Sequence, residues 1–277
     1  MKKSAVILFC LIGSALAAPP KVEPVPLMDA TAGDNDILGG RITNGQQAVA
    51  DQFPWQVGLS LQKSLLTSSW CGGSLIGTNW VLTAAHCTSG ATRVTVYLGS
   101  TLRTSPKVSF LVDGGEIYQH LNFNAQSLSN DISLIRIPPV SYSSSIKPVR
   151  LPSISSFYST YVGEYAIASG WGRTSDDSTV SPNLNYARLP IISNSQCASV
   201  YGSTVVTSNS ICVSTPGGAS TCNGDSGGPL VLESNNVLVG ISSFVASLGC
   251  TAGYPAGFVR VTSYLEWIYT LTGIYYF

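Results

Sequence analysis

Three short segments of this 277-residue chain carry side chains that together could attack a carbonyl group. Ser226 lies in the glycine-rich run Gly224–Pro229, His86 follows a short apolar segment, and Asp131 precedes another. A serine hydroxyl is a weak nucleophile, so an imidazole must take its proton, and a carboxylate can orient that imidazole. These residue types predict acyl transfer, with Ser226 as nucleophile, His86 as general base and Asp131 as the acid that fixes the histidine.

Each of these segments also has an ordinary structural explanation. A bare G-x-S-x-G match is more often a hairpin turn, a single histidine is more often structural, and an aspartate before a strand is commonly solvated. The three segments together are much less readily explained in this way than any one of them alone.

The bulk composition limits the partners that this chain can have. Lysine plus arginine number 14, as do aspartate plus glutamate, and charged residues make up 10 % of the chain. Such a surface has no basic stripe for nucleic acid and no polybasic patch for anionic lipid, so we expect neither partner. Hydrophobic residues make up 44 %, which is enough for a buried core.

The region from residue 42 onward has the pattern of an all-β protein. Short β-branched or aliphatic runs lie between turns rich in Gly, Ser, Asn and Pro, which predicts a sandwich or a barrel. Helical spacing of apolar residues is convincing only at 262–271. The predicted strands include 56–61, 94–98, 131–137, 166–170, 229–232 and 237–242.

The first 41 residues differ from the rest of the chain. Residues 1–17 have a charged start, a short apolar run and a small-residue cleavage site, which predicts a secretory signal peptide and an extracellular location. A membrane anchor is the alternative, but neither this run nor any later segment is long enough to cross a bilayer. Residues 18–41 have little to bury and are interpreted as a pro-segment or a linker, ending in Arg41 as a site for a trypsin-like protease.

The cysteines fit an exported chain. Cys10 leaves with the predicted signal peptide, and the even number that remains predicts three disulfides, whose pairing the sequence alone leaves open. With no C-x-x-C pair and two histidines, we expect no metal and no cofactor. The six remaining residues are Cys71, Cys87, Cys197, Cys212, Cys222 and Cys250.

The region from residue 42 to the C terminus resembles the chymotrypsin family of serine peptidases, in which the order His, Asp, Ser is also found. The resemblance implies an all-β fold with two antiparallel six-stranded barrels packed face to face, the active site between them and a C-terminal helix. The motifs that carry it are Arg41–Gly45, Phe53–Val57, Cys71–Ile76, Trp80–Cys87, Ser169–Gly172 and Gly224–Pro229.

The resemblance also implies the domain boundaries and the disulfide pairs. We expect a peptidase domain at 42–277, with the first barrel at about 55–145, the second at about 155–260 and the helix at about 262–272. The implied disulfides are Cys71–Cys87, Cys197–Cys212 and Cys222–Cys250.

The resemblance assigns further roles around Ser226. The backbone N–H groups of Gly224 and Ser226 are expected to face the developing oxyanion. Cleavage after Arg41 is expected to free the α-amino group of Ile42, which then pairs with Asp225 and holds the oxyanion loop in its working shape.

The specificity pocket is also placed by resemblance. Ser220 is expected at its base, where an uncharged residue disfavours lysine and arginine. The wall strand, Ser243, Phe244 and Val245, is closer to elastase than to chymotrypsin; Val245 narrows the entrance, and the strand backbone pairs with extended substrate. Ala256 is expected on the opposite wall, with the alignment open by one residue. This predicts a medium apolar pocket that suits small or branched side chains, or Leu and Met, with broad preferences.

The predicted function is therefore a secreted serine endopeptidase, made as a zymogen, that cuts after apolar residues in a digestive role. Its expected partners are protein or peptide substrates, a trypsin-like activating protease and proteinaceous inhibitors, and the chain is expected to be a monomer. One alternative is a cascade-type regulatory protease, which commonly carries additional interaction domains. The other is a non-catalytic homologue, which has usually lost one of the three residues present here.

Overall fold

The computed structural model describes residues 21–27, 42–64 and 67–276. The predicted signal peptide and Arg41 lie outside these residues. The strands in the described part of the chain are β1 (Pro24–Pro26), β2 (Gln46–Gln47), β3 (Gln56–Gln62), β4 (Ser68–Leu75), β5 (Trp80–Thr83), β6 (Arg93–Leu98), β7 (Val108–Asp113), β8 (Ile117–Gln119), β9 (Ser133–Arg136), β10 (Tyr165–Gly170), β11 (Asn185–Ile192), β12 (Ser210–Val213), β13 (Pro229–Leu232), β14 (Leu238–Ala246) and β15 (Ala256–Arg260).

The helices are short and lie beside the sheets. They are α1 (Ala85–Thr88), α2 (Asn194–Tyr201) and α3 (Leu265–Thr272). Among the described residues, no helix has the length and apolar character needed to span a bilayer.

The first sheet joins seven antiparallel strands in the order β7-β6-β3-β4-β5-β9-β8. Alternation along the strands directs one face inward: on β6, Val94, Val96 and Leu98 are buried while the residues between them are partly or fully exposed. The central strands β4 and β5 are buried almost throughout. The sheet therefore curls around a core of aliphatic side chains.

The second sheet closes on itself. The strands β14-β13-β10-β11-β12-β15 are paired in sequence, and pairing of β15 with β14 completes a six-stranded barrel. β2 pairs with β11, and β1 pairs with the end of β14, at Phe244–Ala246. The predicted all-β architecture with a C-terminal helix is confirmed, with the difference that the first sheet is a curled path of seven strands.

The three disulfides join the cysteines that the resemblance paired. They are Cys71–Cys87, Cys197–Cys212 and Cys222–Cys250.

Two short helices were not predicted. α1 and α2 have four and eight residues, which is too short for apolar periodicity to become visible. A signal was nevertheless present for α2, because Ser193 and Gln196 form a capping box in which each side chain satisfies the other's backbone N–H. The C-terminal helix was predicted from 262, but Val261–Tyr264 forms a tighter 3-10 turn and α3 follows it.

The expectation that the segment before residue 42 has little to bury is wrong for residues 21–27. Leu27 is fully buried, and Pro24–Pro26 form β1. Val25 and Leu27 are apolar at alternate positions, as an extended strand with one covered face requires. The prolines indicated only a stiff linker, although proline is also tolerated on edge strands.

Candidate active site

His86 is positioned by the first sheet. It lies in α1, directly after β5, and is 5 % exposed. The adjacent Cys87 is bonded to Cys71 of β4, so a disulfide ties the helix to the sheet. The local sequence therefore fixes the histidine between a strand end and a covalent bond.

Asp131 is also held by its chain neighbour. Asn130 has a positive φ of 54°, and its side chain accepts a hydrogen bond from Tyr264 Oη at 3.0 Å. The Ile132 N–H donates to the Asn130 carbonyl at 2.8 Å and closes a turn. β9 therefore begins at Ser133 rather than at the predicted residue 131. This turn directs a fully buried carboxylate toward His86.

Ser226 lies in the turn between β12 and β13. Gly224 and Gly227 have φ of 97° and 76°, a region that favours glycine. A Cβ at Gly227 would also collide with the hydroxyl of Thr83 from the first sheet. The Ser226 carbonyl accepts from the Gly72 N–H of β4 at 2.7 Å, so the turn is braced against the opposite sheet.

The three side chains form one line of hydrogen bonds. His86 Nδ1 lies 2.7 Å from Asp131 Oδ2, and His86 Nε2 lies 2.7 Å from Ser226 Oγ. Because a carboxylate can only accept, Nδ1 carries the proton and the lone pair of Nε2 accepts from the serine hydroxyl. The arrangement allows the hydroxyl to pass its proton to the imidazole as it attacks a carbonyl.

Asp131 has further partners that the sequence prediction missed. The His86 backbone N–H donates to Asp131 Oδ1 at 2.8 Å, and the Ser243 hydroxyl donates to Oδ2 at 2.6 Å. Ser243 was predicted only as a backbone partner of substrate. A hydroxyl at the barrel strand facing the aspartate was not recognisable from sequence, because 112 residues separate the two.

The backbone N–H of Gly224 already contacts a peptide carbonyl. It donates to the carbonyl oxygen of Leu27 at 2.7 Å. This donor precedes Ser226 by two residues in the chain.

Three of the predicted pocket residues, Ser220, Val245 and Ala256, are buried. Val245 and Ala256 belong to one buried apolar cluster with Leu27, and Ser220 is 1 % exposed, its hydroxyl donating to the Thr221 carbonyl at 3.0 Å. These side chains carry no charge, so a buried cation would be poorly accommodated.

The Phe244 ring shows which residue at the start of β15, Ala256 or Gly257, faces the apolar cluster that contains Leu27. A Cβ on Gly257 would collide with the Phe244 ring, so that side of β15 is covered by the ring. Because successive residues of a strand point to opposite faces, Ala256 points away from the ring and joins the cluster that contains Leu27.

Asp225 is the second fully buried carboxyl group of the site. It accepts from the Gly172 N–H at 2.8 Å and from the Cys222 N–H at 2.9 Å. Burial raises the pKa of Asp225 to about 7, outweighing the two hydrogen bonds that lower it. A positively charged group beside Asp225 would therefore stabilise its ionised form.

Ile42 is also fully buried. The next residue, Thr43, contacts Ser220, the residue predicted at the base of the pocket. The hydroxyl of Thr43 donates to the Ser220 carbonyl at 2.9 Å, and the Ser220 N–H donates to that hydroxyl at 3.0 Å. The start of the predicted peptidase domain is thus packed against Ser220, which precedes Asp225 by five residues in the chain.

Two clusters of metal-ligand atoms occur among the described residues. In each, three such atoms lie within 4.8 Å of one another, but two of the three are sulfurs joined in a disulfide and cannot act as thiolate ligands. The clusters are Cys71, His86 and Cys87, and Asp176, Cys222 and Cys250.

Comparisons with known proteins agree with this geometry. The Trypsin family model matches residues 42–268. The chain is 46 % identical over 256 residues to Serine protease 1 of Drosophila melanogaster, covering 92 % of both chains. It is 42 % identical over 239 residues to the collagenase of Hypoderma lineatum, covering 86 % of this chain and 90 % of the relative.

A solved structure has the same fold. The structure of HL collagenase superposes with a TM-score of 0.80 at 41 % identity, covering 85 % of this chain and 100 % of the other. The family match spans most of the chain and includes all three residues of the hydrogen-bonded line. The chain therefore belongs to the trypsin family and is a serine endopeptidase.

Proposed function

We propose that this protein is a secreted zymogen which, once cut after Arg41, hydrolyses peptide bonds that follow apolar residues. His86, Asp131 and Ser226 act as its catalytic triad, and the N–H groups of Gly224 and Ser226 form the oxyanion hole. The observation that carries the proposal is the continuous hydrogen-bonded line from Asp131 through His86 to Ser226.

The triad performs the chemistry in two proton transfers. His86 takes the proton of Ser226 during attack and returns it to the leaving amine, while Asp131 stabilises the imidazolium. Each oxyanion donor contributes about 2.7–4 kcal/mol to transition-state stabilisation in related chemistry. The position of the Gly224 N–H, already engaged with a carbonyl oxygen, supports this role.

Activation follows from the surroundings of Asp225. A fully buried carboxyl with a pKa raised to about 7 favours a cationic partner, and the α-amino group freed by cleavage after Arg41 supplies one. Ile42 is buried in the same barrel, which supports insertion of its new terminus.

Specificity for apolar residues is supported by the pocket lining. Ser220 offers no negative charge to a lysine or arginine side chain, and the cluster of Val245 and Ala256 is apolar. A pocket of this kind discriminates by only about 1–3 kcal/mol per methylene, so the preference is broad.

We further propose export, a digestive role and a monomeric state. Residues 1–17 support export by their signal-like pattern. Relatives include a collagenase and, at 36 % identity over 284 residues, the chymotrypsin of Phaedon cochleariae, which supports action on protein substrates. Its other partners are a trypsin-like activator and proteinaceous inhibitors.

The test is activation of the purified zymogen by trypsin, followed by hydrolysis of a peptide series varied at the residue before the scissile bond. Leu, Met and small apolar residues are expected to be cut faster than Lys, Arg or Trp. A serine-directed inhibitor should label Ser226 and abolish the signal.

The control is Ser226→Ala, which keeps the fold but removes the nucleophile. It is expected to reduce turnover by roughly 10⁶-fold. Full turnover in this variant, or faster cleavage after Lys and Arg than after Leu, would contradict the corresponding part of the proposal.

A further inference from the structure

We propose that Lys21–Leu27 is a substrate already bound in the active site of its own protein, which cuts the Leu27–Met28 bond after activation. The inference rests on the proposed function, because it uses the same nucleophile and the same pocket. It assigns a self-processing site within the pro-segment.

The segment lies beside β14 of the second barrel as an added strand. Pro24–Pro26 pair antiparallel with Phe244–Ala246, with Val25 opposite Val245. The Ser247 N–H donates to the Glu23 carbonyl at 2.9 Å and extends the pairing. Strand addition of this kind is a general mode of peptide recognition, in which backbone bonds give affinity and side-chain pockets give selectivity.

The prolines suit this position. They lack N–H groups and lie on either side of Val25, whose own backbone remains able to donate and accept. A Pro-Val-Pro sequence is extended before it binds, because each proline fixes its own φ and disfavours helix at the residue before it. The segment therefore loses less conformational entropy on binding than a flexible one.

Leu27 occupies the position of the residue to be cleaved. Its side chain is fully buried in the apolar cluster that includes Val245 and Ala256. Its carbonyl oxygen accepts the 2.7 Å hydrogen bond from Gly224, two residues before Ser226. A carbonyl polarised at this point is the one that Ser226 can attack.

A second anchor holds the other end of the segment. Lys21 Nζ donates to the carbonyls of Ala198 and Ser199 at 3.1 and 3.0 Å, and the Val22 N–H donates to the Val200 carbonyl at 3.0 Å. These carbonyls belong to the C-terminal half of α2, where a helix favours positive charge. The whole segment is thus bound from α2 to the oxyanion donor.

The connection to the peptidase domain permits binding within one molecule. Residues 28–41 can span up to roughly 45–50 Å when extended, at about 3.3–3.6 Å per residue. Until Arg41 is cut, a tether of this length gives an effective concentration near the millimolar range. The segment is therefore already bound to its own protein when activation occurs, and it can be cut before it dissociates.

The reaction is ordinary peptide hydrolysis. Ser226 Oγ bonds to the Leu27 carbonyl carbon as its proton passes to His86; the bond to Met28 then breaks, and the proton passes to the Met28 nitrogen. Water attacks the resulting ester, regenerating Ser226 and leaving a carboxylate on Leu27. The six cysteines are all paired within the domain, so no disulfide holds the segment, and the product ends can separate.

The experiment is trypsin activation of the protein that begins after the signal peptide, with the released fragments identified by mass spectrometry over time. Trypsin cuts after Lys and Arg, so a fragment ending at Leu27 must come from another active site. We expect that fragment and one beginning at Met28. Because the segment is bound to its own protein when Arg41 is cut, we expect their rate of formation to be independent of protein concentration.

Three controls make the result specific. Ser226→Ala should release no fragment ending at Leu27. Leu27→Asp should slow the cut at least about 100-fold, because a charged side chain enters an apolar pocket. Leu38 lies in the same pro-segment and serves as an internal comparison, since its bond to Gly39 should be cut much more slowly than the bond after Leu27.

The outcomes separate this inference from the proposed function. Hydrolysis of an unrelated leucine peptide with an intact Leu27–Met28 bond would overturn the inference alone, as would equal rates after Leu27 and Leu38. Failure to hydrolyse any apolar peptide would instead overturn the proposed specificity.

Discussion

Two carboxyl groups of the site, those of Asp131 and Asp225, are fully buried, and they have different hydrogen-bond partners. Asp131 accepts hydrogen bonds from the backbone and ring of His86 and from the Ser243 hydroxyl. Asp225 accepts only from uncharged backbone N–H groups among its hydrogen-bond partners in the described chain, and burial raises its pKa to about 7.

This difference distinguishes Asp131, which contacts the reacting histidine, from Asp225, which is proposed to control activation. The partners of Asp131 are side chains that folding alone delivers, so that half of the site is complete in the intact chain. The surroundings of Asp225 favour a positive partner, and the proposed one exists only after a peptide bond has been cut. The proposed activation would therefore act at Asp225 without changing the residues that react.

The largest expected effect comes from Asp131→Asn. An amide at this position can donate to His86 Nδ1, which stabilises the tautomer that cannot accept the proton of Ser226, and kcat is expected to fall about 10⁴-fold with little change in KM. Steady-state kinetics of the activated enzyme measure this. Asp113→Asn, at an exposed surface ion pair with Arg93, is the matched control and should leave kcat unchanged.

Asp225→Asn is expected to have a smaller but still large effect. Losing one partner of a buried ion pair costs about 3–5 kcal/mol, so activity after cleavage should fall by roughly 10²–10⁴-fold. The variant should retain its fold, because the carboxyl group is largely neutral below its raised pKa in the intact chain. Asp177→Asn, on an exposed loop, is the control, and an equal loss there would remove the special role of Asp225.

The pH dependence of the cleaved enzyme tests the proposed pairing of Asp225 with the Ile42 amine. The proposed Ile42 amine gains a carboxylate partner, so its pKa rises above the ordinary value of about 7.7–8.0. Its contribution is complete below that ordinary value and is lost as pH climbs through the raised one, with activity falling tenfold per pH unit above it. A kcat/KM profile that stays flat to pH 11 would contradict the amine–carboxylate pair.

The intact chain should also lose stability as pH rises, but over a lower pH range and because of Asp225 itself. A folded-state pKa of about 7 for Asp225, against 3.8 for the free group, means that the folded state binds more protons between these values. The free energy of unfolding should therefore fall by roughly 4 kcal/mol as pH rises from about 4 to about 7. Denaturant titrations of the intact Ser226→Ala protein, which cannot digest itself, measure this.

The smallest expected effect is that of Ser243→Ala. It removes one of the hydrogen bonds to Asp131, and kcat should fall about 2- to 10-fold. Ser242→Ala is a closely matched control, because its buried hydroxyl has no hydrogen-bond partner in the described part of the chain. Equal kinetics for the two variants would show that the Ser243 hydroxyl does not orient the aspartate.

The sequence by itself indicated the reacting residues and the fold class. His86, Asp131 and Ser226 could be selected because each lies in a distinctive local motif, and short alternating runs indicated β-strands. Such features can be recognised from the sequence because glycine turns and strand alternation depend on residues that are neighbours in the chain.

Only the tertiary structure decided what those residues contact. The hydroxyl of Ser243 on Asp131, the Gly72 N–H on the Ser226 carbonyl and the Leu27 carbonyl on Gly224 each join distant parts of the chain. Such contacts depend on how two sheets pack, and no local pattern encodes them. The same reason explains why the segment around Leu27 was interpreted as a pro-segment or a linker, although it pairs with β14 and buries Leu27 in the second barrel.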